Sequence, residues 1–257
     1  MFGQNVVSDK ITFNGRWQVQ EVFHTIQGEG PLSGAPAVFV RMRHCNLRCT
    51  FCDTDFTTGK EEPTTERLLQ QIEEARRDTK TALVVITGGE PMLQDLGHLI
   101  VPIITKLNMS VQVETAGTVW PESFDRVPMC FYIDSPDRFT IVCSPKTPKV
   151  HASIEAHCNH WKYIVGPHMR LSPHDGLPDT GTQPTSVPGG PLYRPRAVKR
   201  WVQIWVQPCE EYTRRGALSI PERDVEATSV AHDIAVDAVM KHGHRLSLQT
   251  HKILALP

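Results

Sequence analysis

The chain has 257 residues, 40% of them hydrophobic, which is enough to build one large α/β domain with its own core. Its formal net charge of −1 at pH 7 argues against binding to nucleic acid or anionic membranes through a broad basic surface. The N-terminus lacks the basic start and apolar core of a signal peptide, and the apolar stretches are too short to span a bilayer. We therefore expect a single cytoplasmic domain over residues 1–257.

Strands and helices are predicted to alternate along the chain. Strands are expected at 37–43, 82–87, 110–114, 129–134, 139–143, 160–165, 201–207 and 245–249. Helices are expected at 64–78, 95–107 and 224–241, with a weaker helical signal around Glu122 and a kink at Pro102. Residues 166–198 are rich in Pro, Gly, Ser and Thr without periodicity, so we expect a surface loop insertion there. This alternation predicts an α/β fold with a mainly parallel sheet, either open or curled.

Three cysteines, Cys45, Cys49 and Cys52, have the spacing C-x3-C-x2-C. Structural zinc is held by four ligands, whereas three thiolates on a 4Fe–4S cluster leave one iron open to a small molecule. The alternative is a zinc site completed by His44 or by a distant cysteine. Because His44 adjoins Cys45, it is poorly placed to share its metal. The spacing therefore favours an iron–sulfur cluster with an open coordination site.

Polar residues follow the predicted strands at the points where the strands end. They are Gly88-Gly89-Glu90-Pro91, Glu114-Thr115, Ser144-Pro145-Lys146, Gln207-Pro208 and Gln249-Thr250-His251-Lys252. In parallel α/β folds these strand ends converge on one face, where ligands bind. The two glycines allow close backbone approach and Glu90 offers a carboxylate to an ammonium group, although an ordinary strand-to-helix turn is the alternative. Together with an open iron, the turn suggests a ligand with amino and carboxylate groups, such as S-adenosylmethionine.

The cysteine motif and the Gly-Gly-Glu-Pro turn resemble those of the radical S-adenosylmethionine enzymes. Further segments are similar to the 7-carboxy-7-deazaguanine synthase family. They are FHTIQGEG at 23–30, FVR at 39–41, CNLRC at 45–49, CDT at 52–54 and QTHK at 249–252. The resemblance runs from about residue 21 to the C-terminus and leaves out residues 166–198.

The resemblance implies a carbon–nitrogen lyase that converts 6-carboxy-5,6,7,8-tetrahydropterin into 7-carboxy-7-deazaguanine with loss of ammonia. This reaction belongs to the biosynthesis of 7-deazapurines such as queuosine. The implied cofactors are a 4Fe–4S cluster, S-adenosylmethionine and Mg2+, and the implied fold is a partial (β/α) barrel. The family also implies a homodimer and an electron donor such as flavodoxin or ferredoxin.

The resemblance assigns roles to individual residues. Cys45, Cys49 and Cys52 would hold the cluster, and Thr54 would bind Mg2+ through its hydroxyl, since hard cations prefer oxygen. S-adenosylmethionine would contact Phe51, Cys52, Asp53, Gly89, Glu90, Ser144, Pro145, Lys146, Gln207, Pro208, Cys209 and Glu210. The pterin would contact Ile26, Gln27, Gly28, Glu29, Arg41, Thr87, His251 and Pro257.

Two of the pterin contacts also have a physical basis. Arg41 lies in an apolar strand, where an unpaired guanidinium is costly, and a bidentate pair with the carboxylate of the substrate would remove that cost. An ion pair with a structural acid is the alternative. Pro257 carries the last carboxylate, which would accept hydrogen bonds from the amino-pyrimidinone edge of the pterin if the tail folds over the barrel mouth.

Two other functions stay open at this level. A glycyl-radical-enzyme activase would keep the cluster and use residues 166–198 as a surface for its protein partner. A zinc-binding module would have no catalytic activity and no iron.

Overall fold

The computed structural model describes residues 7–8, 11–52, 54, 58–59, 61–126, 137–180, 182, 191–196, 202–213 and 222–257. Eight strands form one sheet and two short strands form another. The strands are β1 Val19–Ile26, β2 Pro36–Met42, β3 Leu83–Gly88, β4 Ser110–Thr115, β5 Phe139–Cys143, β6 His160–Val165, β7 Gln203–Pro208, β8 Tyr212–Thr213, β9 Glu222–Arg223 and β10 Arg245–Leu246.

Helices connect most of these strands. They are α1 Thr65–Arg76, α2 Gly97–Lys106, α3 Ala152–His157, α4 Val225–His242 and α5 Thr250–Ile253. Three short 3-10 turns lie at Gly30–Leu32, Pro91–Leu93 and Glu122–Asp125. Within the described residues, no helix has the length and apolar character that a bilayer crossing requires.

The large sheet has the strand order β1-β2-β3-β4-β5-β6-β7-β10. Only β1 runs antiparallel to its neighbour, and every pair from β2 to β10 is parallel. The predicted mainly parallel sheet is therefore confirmed. Because the strands run the same way, their carboxyl ends lie on one side of the molecule, which is where a ligand is expected.

The first and last strands of the sheet are joined by the segments that follow them. The backbone N–H of Gly30 donates to Ser247 Oγ at 3.0 Å, and the N–H of Thr250 donates to the carbonyl oxygen of Gly28 at 3.2 Å. Among the described residues, β1 and β10 share no ladder of backbone hydrogen bonds. The sheet of the described residues is thus not closed, and turns join its first and last strands.

Helices α1 and α4 each begin after a residue whose side chain caps the first turn, and α1 packs an apolar face against the core. Thr64 caps α1 by accepting a hydrogen bond from the N–H of Arg67, and Leu68, Leu69 and Ile72 turn toward the core. Asp224 caps α4 in the same way through the N–H of Ala227. In α2, Pro102 lies inside the helix, which continues past it to Lys106.

The differences from the predicted elements concern weak patterns. Strand β1 was not predicted, and the predicted strand at 245–249 is reduced to the two residues of β10 before α5 begins. The predicted strand at 129–134 lies outside the described residues. Within the predicted insertion, Leu177 and Leu192 are buried, and Arg194 pairs with Asp175 at 2.6 Å, so these parts pack against the domain.

Candidate active site

A cavity of about 690 Å3 opens at the carboxyl ends of the parallel strands. It is lined by most of the residues that the sequence singled out. They are Ile26, Gln27, Glu29, Arg41, Cys45, Cys49, Phe51, Cys52, Thr54, Thr87, Gly89, Ser144, Lys146, Gln207, Pro208, Cys209, Glu210, His251 and Pro257. Gly28, Glu90 and Pro145 are described but do not line it, and Asp53 lies outside the described residues.

The three clustered cysteines all line the cavity, and none of them is in a disulfide bond. Burial, with the nearby Glu90 and the two other cysteines, raises the pKa of Cys45 to about 12. A thiolate here needs compensating positive charge, which iron would supply. The thiols therefore suit a cluster.

A single metal ion fits these cysteines less well. In the described parts of the chain, no three His, Cys, Asp or Glu side chains are arranged so that they could hold one ion together. In a 4Fe–4S cluster each thiolate binds a different iron, so the thiols can stand further apart than the ligands of one zinc.

The Gly-Gly-Glu-Pro turn packs directly against the cysteine segment. The N–H of Glu90 donates to the carbonyl oxygen of His44 at 2.9 Å. A Cβ atom on Gly89 would lie 2.0 Å from that carbonyl oxygen and 2.9 Å from the Cβ of Cys45. Only glycine fits at this position, and its backbone reaches the cavity beside the thiols.

Glu90 is fully buried behind this turn. Its carboxylate accepts hydrogen bonds from Thr115 Oγ1 at 2.7 Å, from the N–H of Ala116 at 2.8 Å and from the N–H of Met92 at 3.0 Å. Burial raises the pKa of this carboxyl although these donors oppose the effect. The arrangement favours a structural role, in which Glu90 fixes the turn, over direct contact with an ammonium group.

Lys146 lies between the cysteines and the end of β5. Its ammonium group donates to Ser144 through both the carbonyl and the hydroxyl oxygen and lies 5.9 Å from the centre of the Phe51 ring. Burial lowers the pKa of Lys146, and the positive charge of Lys162 acts in the same direction. Lys146 lines the same cavity as the three cysteines, so it offers an anionic ligand a cation and hydrogen-bond donor there.

Arg41 also lines the cavity, with 22% of its side chain exposed. Its Nε donates to Glu21 Oε1 at 2.6 Å, and the guanidinium carbon lies 5.5 Å from the centre of the Phe23 ring. Glu21 is the structural acid that the sequence left open as an alternative. This bond uses Nε, so it orients the guanidinium without engaging the two terminal nitrogens that a bidentate pair with a second carboxylate would need.

A network of hydrogen-bonded polar side chains forms one surface of the cavity, which we call its floor. Its members are Gln27, Glu29, Thr87, Glu114, Lys162 and Gln249. Lys162, in the middle of β6, forms a buried ion pair with Glu29, and Gln249 Nε2 donates to the same carboxylate at 2.8 Å. Burial alone would raise the pKa of Glu29, but Lys162 and Gln249 outweigh it and lower the pKa to about 2. Glu29 is therefore an anion when the chain is folded at neutral pH.

The network continues to β3 and β4 through Gln27. The N–H of Glu29 donates to Gln27 Oε1 at 3.0 Å, and Gln27 Nε2 donates to Glu114 Oε1 at 3.1 Å. Thr87 Oγ1 donates to Glu114 Oε2 at 3.1 Å. These side chains present fixed donors and acceptors across one surface of the cavity.

The C-terminal segment contributes to the lining of the cavity. The carbonyl oxygen of Pro257 accepts a hydrogen bond from Thr25 Oγ1 at 3.1 Å, and both residues line the cavity. A Cβ atom on Gly28 would lie 2.0 Å from Nδ1 of His251, so glycine is required for His251 to hold its position. The tail is thereby packed onto the strand-end segment after β1.

Glu210 links the end of β7 to this tail. Its carboxylate pairs with Arg223 at 2.9 Å and with Lys252 at 2.7 Å, and it accepts a hydrogen bond from Tyr212 Oη at 2.6 Å. Burial would raise the pKa of Glu210, but Lys252 and Tyr212 outweigh it and lower the pKa. The network holds the rim of the cavity in place.

Several lining residues received no assigned role from the sequence. They are Thr25, Glu114, Lys162, Gln249 and Lys252. Lys162 had a usable signal: it is a charged residue inside a short apolar strand, as Arg41 is, and a buried cation needs a partner. Glu114 and Gln249 were recognised as polar strand-end residues without a function.

Comparisons with known proteins identify the family of the chain. Residues 39–130 match the Radical SAM superfamily. The chain is 36% identical over 260 residues to the 7-carboxy-7-deazaguanine synthase of Rhodospirillum rubrum, with 100% of both chains covered. It is 30% identical to the protein of the same name from Rickettsia prowazekii, over 100% of this chain and 96% of the relative.

The fold has a counterpart among solved structures. The crystal structure of QueE from Escherichia coli matches with a TM-score of 0.56 and 21% sequence identity, covering 91% of this chain and 94% of that chain. The expected partial (β/α) barrel is thereby confirmed.

Proposed function

The chain belongs to the 7-carboxy-7-deazaguanine synthase family of radical S-adenosylmethionine enzymes, and we propose that its cavity converts 6-carboxy-5,6,7,8-tetrahydropterin into 7-carboxy-7-deazaguanine and ammonia. The observation that carries the proposal is that one cavity is lined by three cysteines outside any disulfide and also by Arg41 and a hydrogen-bonded polar network. The full-length similarity to the curated synthases favours this reaction over a glycyl-radical activase and over a zinc module.

Cys45, Cys49 and Cys52 would hold the 4Fe–4S cluster, with the backbone at Gly89 and the side chains of Ser144 and Lys146 beside the bound S-adenosylmethionine. When bound, this pair supplies the one-electron chemistry that removes a hydrogen atom from the substrate. Gln207 to Glu210 would cover the adenosine, and the salt bridges of Glu210 support that role by holding the rim rigid. The chain itself binds and orients the substrate and the cofactor, and it excludes water from them.

The pterin would lie across the floor of the cavity. Arg41 would pair with its carboxylate, and the hydroxyl of Thr87, the amide of Gln27 and the carboxylate of Glu29 offer the donors and acceptors that a pterin ring needs. Ile26, Gly28, His251 and Pro257 would complete the contacts on the side of the tail. Because these polar groups already hydrogen-bond one another, the substrate meets a preorganised surface.

Mg2+ is part of the proposal through Thr54. This residue lines the cavity close in sequence to Cys52, and its hydroxyl is a ligand that a hard cation accepts. Mg2+ usually keeps several waters and binds few protein groups, so one hydroxyl together with substrate oxygens is a suitable set. In that position the ion would neutralise charge on the substrate.

The proposal also includes a homodimer and a one-electron donor such as flavodoxin or ferredoxin. Exposed apolar side chains support an association surface; they include Val236 and Met240 on α4, Ile253 on α5 and Leu254 directly after it. A cytoplasmic location is proposed because free thiols and an iron–sulfur cluster persist in a reducing compartment.

The test is an anaerobic turnover assay with reductant, S-adenosylmethionine, Mg2+ and the carboxytetrahydropterin, analysed by mass spectrometry. We expect a product lighter than the substrate by one ammonia. Cys52→Ala should lose both iron and turnover, whereas Cys158→Ala, which changes a buried cysteine outside the cavity, should keep both. Iron-loaded protein that makes no deazaguanine would end the proposal.

A further inference from the structure

Thr182 lies inside the predicted insertion and contacts one of the cysteines that line the cavity. It is buried, with 7% of its surface exposed. Its Oγ1 lies 3.7 Å from Cys49 Sγ, within the longer range that a sulfur acceptor allows. A residue of the insertion therefore touches a sulfur atom that is expected to bind iron.

The contact is held on both sides by backbone hydrogen bonds. The N–H of Thr50 donates to the carbonyl oxygen of Thr182 at 3.0 Å, and the N–H of Thr182 donates to the carbonyl oxygen of Lys146 at 3.4 Å. Thr182 thus joins the cysteine segment to the segment after β5. Both segments carry residues assigned to the cluster and to S-adenosylmethionine.

The hydroxyl has one proton and two acceptors, Cys49 Sγ and the carbonyl oxygen of Lys146 at 3.3 Å. A thiol is a weak acceptor, but a thiolate that carries negative charge accepts more strongly than a neutral carbonyl. Hydrogen bonds to cysteine sulfurs are one of the terms that set the reduction potential of an iron–sulfur cluster. Since such a bond offsets negative charge, it favours the reduced state of the cluster.

We propose that Thr182 is a positioning residue whose hydroxyl donates a hydrogen bond to the Cys49 sulfur. This bond raises the reduction potential of the cluster and holds the insertion against the cysteine segment. The inference rests on the proposed function only in that it requires a 4Fe–4S cluster on Cys45, Cys49 and Cys52. It gives the insertion a role in electron uptake.

The test measures the midpoint potential of the cluster by EPR in wild type, Thr182→Val, Thr182→Ala and Thr182→Ser. Valine keeps the shape and removes the hydroxyl, alanine removes both, and serine restores the hydroxyl. We expect a more negative potential for valine and alanine and a return toward the wild-type value for serine. Thr180→Val, in the same segment and outside the cavity lining, should match wild type.

Iron content is measured on the same samples after anaerobic reconstitution. If valine and alanine variants fail to take up iron while the serine variant loads fully, the positioning role of the hydroxyl is supported. Full iron content with an unchanged potential in the valine variant would overturn the inference, as would a serine variant that behaves like valine. A wild-type protein without a 4Fe–4S signal would instead overturn the proposed function, and the inference with it.

Discussion

Lys162 and Glu29 form a buried ion pair across the floor of the cavity, between a strand in the middle of the sheet and the segment after β1. Only 8% of the Lys162 side chain and 13% of the Glu29 side chain are exposed. Two charges removed from water in this way are stable only while both are present. The pair therefore fixes the floor of the cavity and depends on each partner.

Replacing Lys162 with Met should lower the free energy of unfolding by about 3 kcal/mol, because the Glu29 carboxylate is left buried without its cation. Urea unfolding of the iron-free protein under reductant measures the change. The double variant Lys162→Met with Glu29→Gln should recover most of the loss. Arg67→Met, which breaks the exposed pair with Glu74, should change the value by less than about 1 kcal/mol.

A double variant as unstable as the single one would show that lost packing, and not an unpaired carboxylate, causes the effect.

The pH dependence of stability should carry the signature of Glu29. Its pKa is lowered from 4.5 to about 2 because Lys162 and Gln249 outweigh the effect of burial. A carboxyl whose pKa is lower in the folded state stabilises the fold fully above pH 4.5 and progressively less as the pH falls toward 2. Glu29→Gln should flatten this part of the stability profile, measured by urea unfolding, whereas Glu74→Gln on the surface should leave it unchanged.

Arg41→Met should raise the KM for the pterin by about 10- to 100-fold, since it removes a charged hydrogen-bond donor to the substrate carboxylate. Arg41→Lys should recover only part of the loss, because lysine cannot form the bidentate pair. Steady-state kinetics on iron-loaded protein measures both. Arg43→Met is the matched control: Arg43 hydrogen-bonds Gln18 at 3.2 Å and does not line the cavity. Equal changes for both arginines would remove Arg41 from the substrate site.

Gly89→Ala should lower the iron content after anaerobic reconstitution, because its Cβ would overlap the backbone of His44 and crowd Cys45. The measurement is the ratio of iron to protein. Gly97→Ala is a control for general destabilisation. Its Cβ would crowd Ser123, and neither Gly97 nor Ser123 lines the cavity. It should lower the thermal midpoint and keep the iron ratio. Full iron content in Gly89→Ala would show that the turn tolerates a side chain beside the thiols.

Thr54→Ala should weaken the stimulation of turnover by Mg2+ and shift the metal titration to higher concentration, because the proposed hydroxyl ligand is lost. Thr58→Ala removes a nearby hydroxyl that accepts a hydrogen bond from Gln20 and should leave the titration unchanged. An unaltered titration in Thr54→Ala would remove this residue from the metal site.

The parallel strands could be predicted because each is a short apolar run with a polar end. The strand at 83–88 is an example, with four buried residues in succession. Strand β1 escaped prediction because only two of its eight residues are buried and polar residues interrupt its pattern. Its place at the edge of the sheet explains the weak signal, since an edge strand needs less apolar surface.

The candidate site could be assembled from the sequence because its members follow strand ends. What the sequence did not give was the pairing within the site. Lys162 pairs with Glu29, which is 133 positions away in the sequence, and Arg41 pairs with Glu21 on the neighbouring strand. For Glu90 the sequence suggested a carboxylate open to a ligand. In the structure this carboxylate accepts hydrogen bonds from the chain and does not line the cavity. Pairing depends on side-chain geometry, which residue spacing does not determine.

Within the part of the chain that the structure describes, no ladder of backbone hydrogen bonds joins the two outer strands β1 and β10. The segments that follow them meet through the bonds of Gly28 with Thr250 and of Gly30 with Ser247, and through the bond from Gln249 to Glu29. These are isolated hydrogen bonds, whereas β1 and β2 are joined by a register of seven residue pairs. Separating β1 from β10 therefore breaks fewer backbone hydrogen bonds than separating β1 from β2.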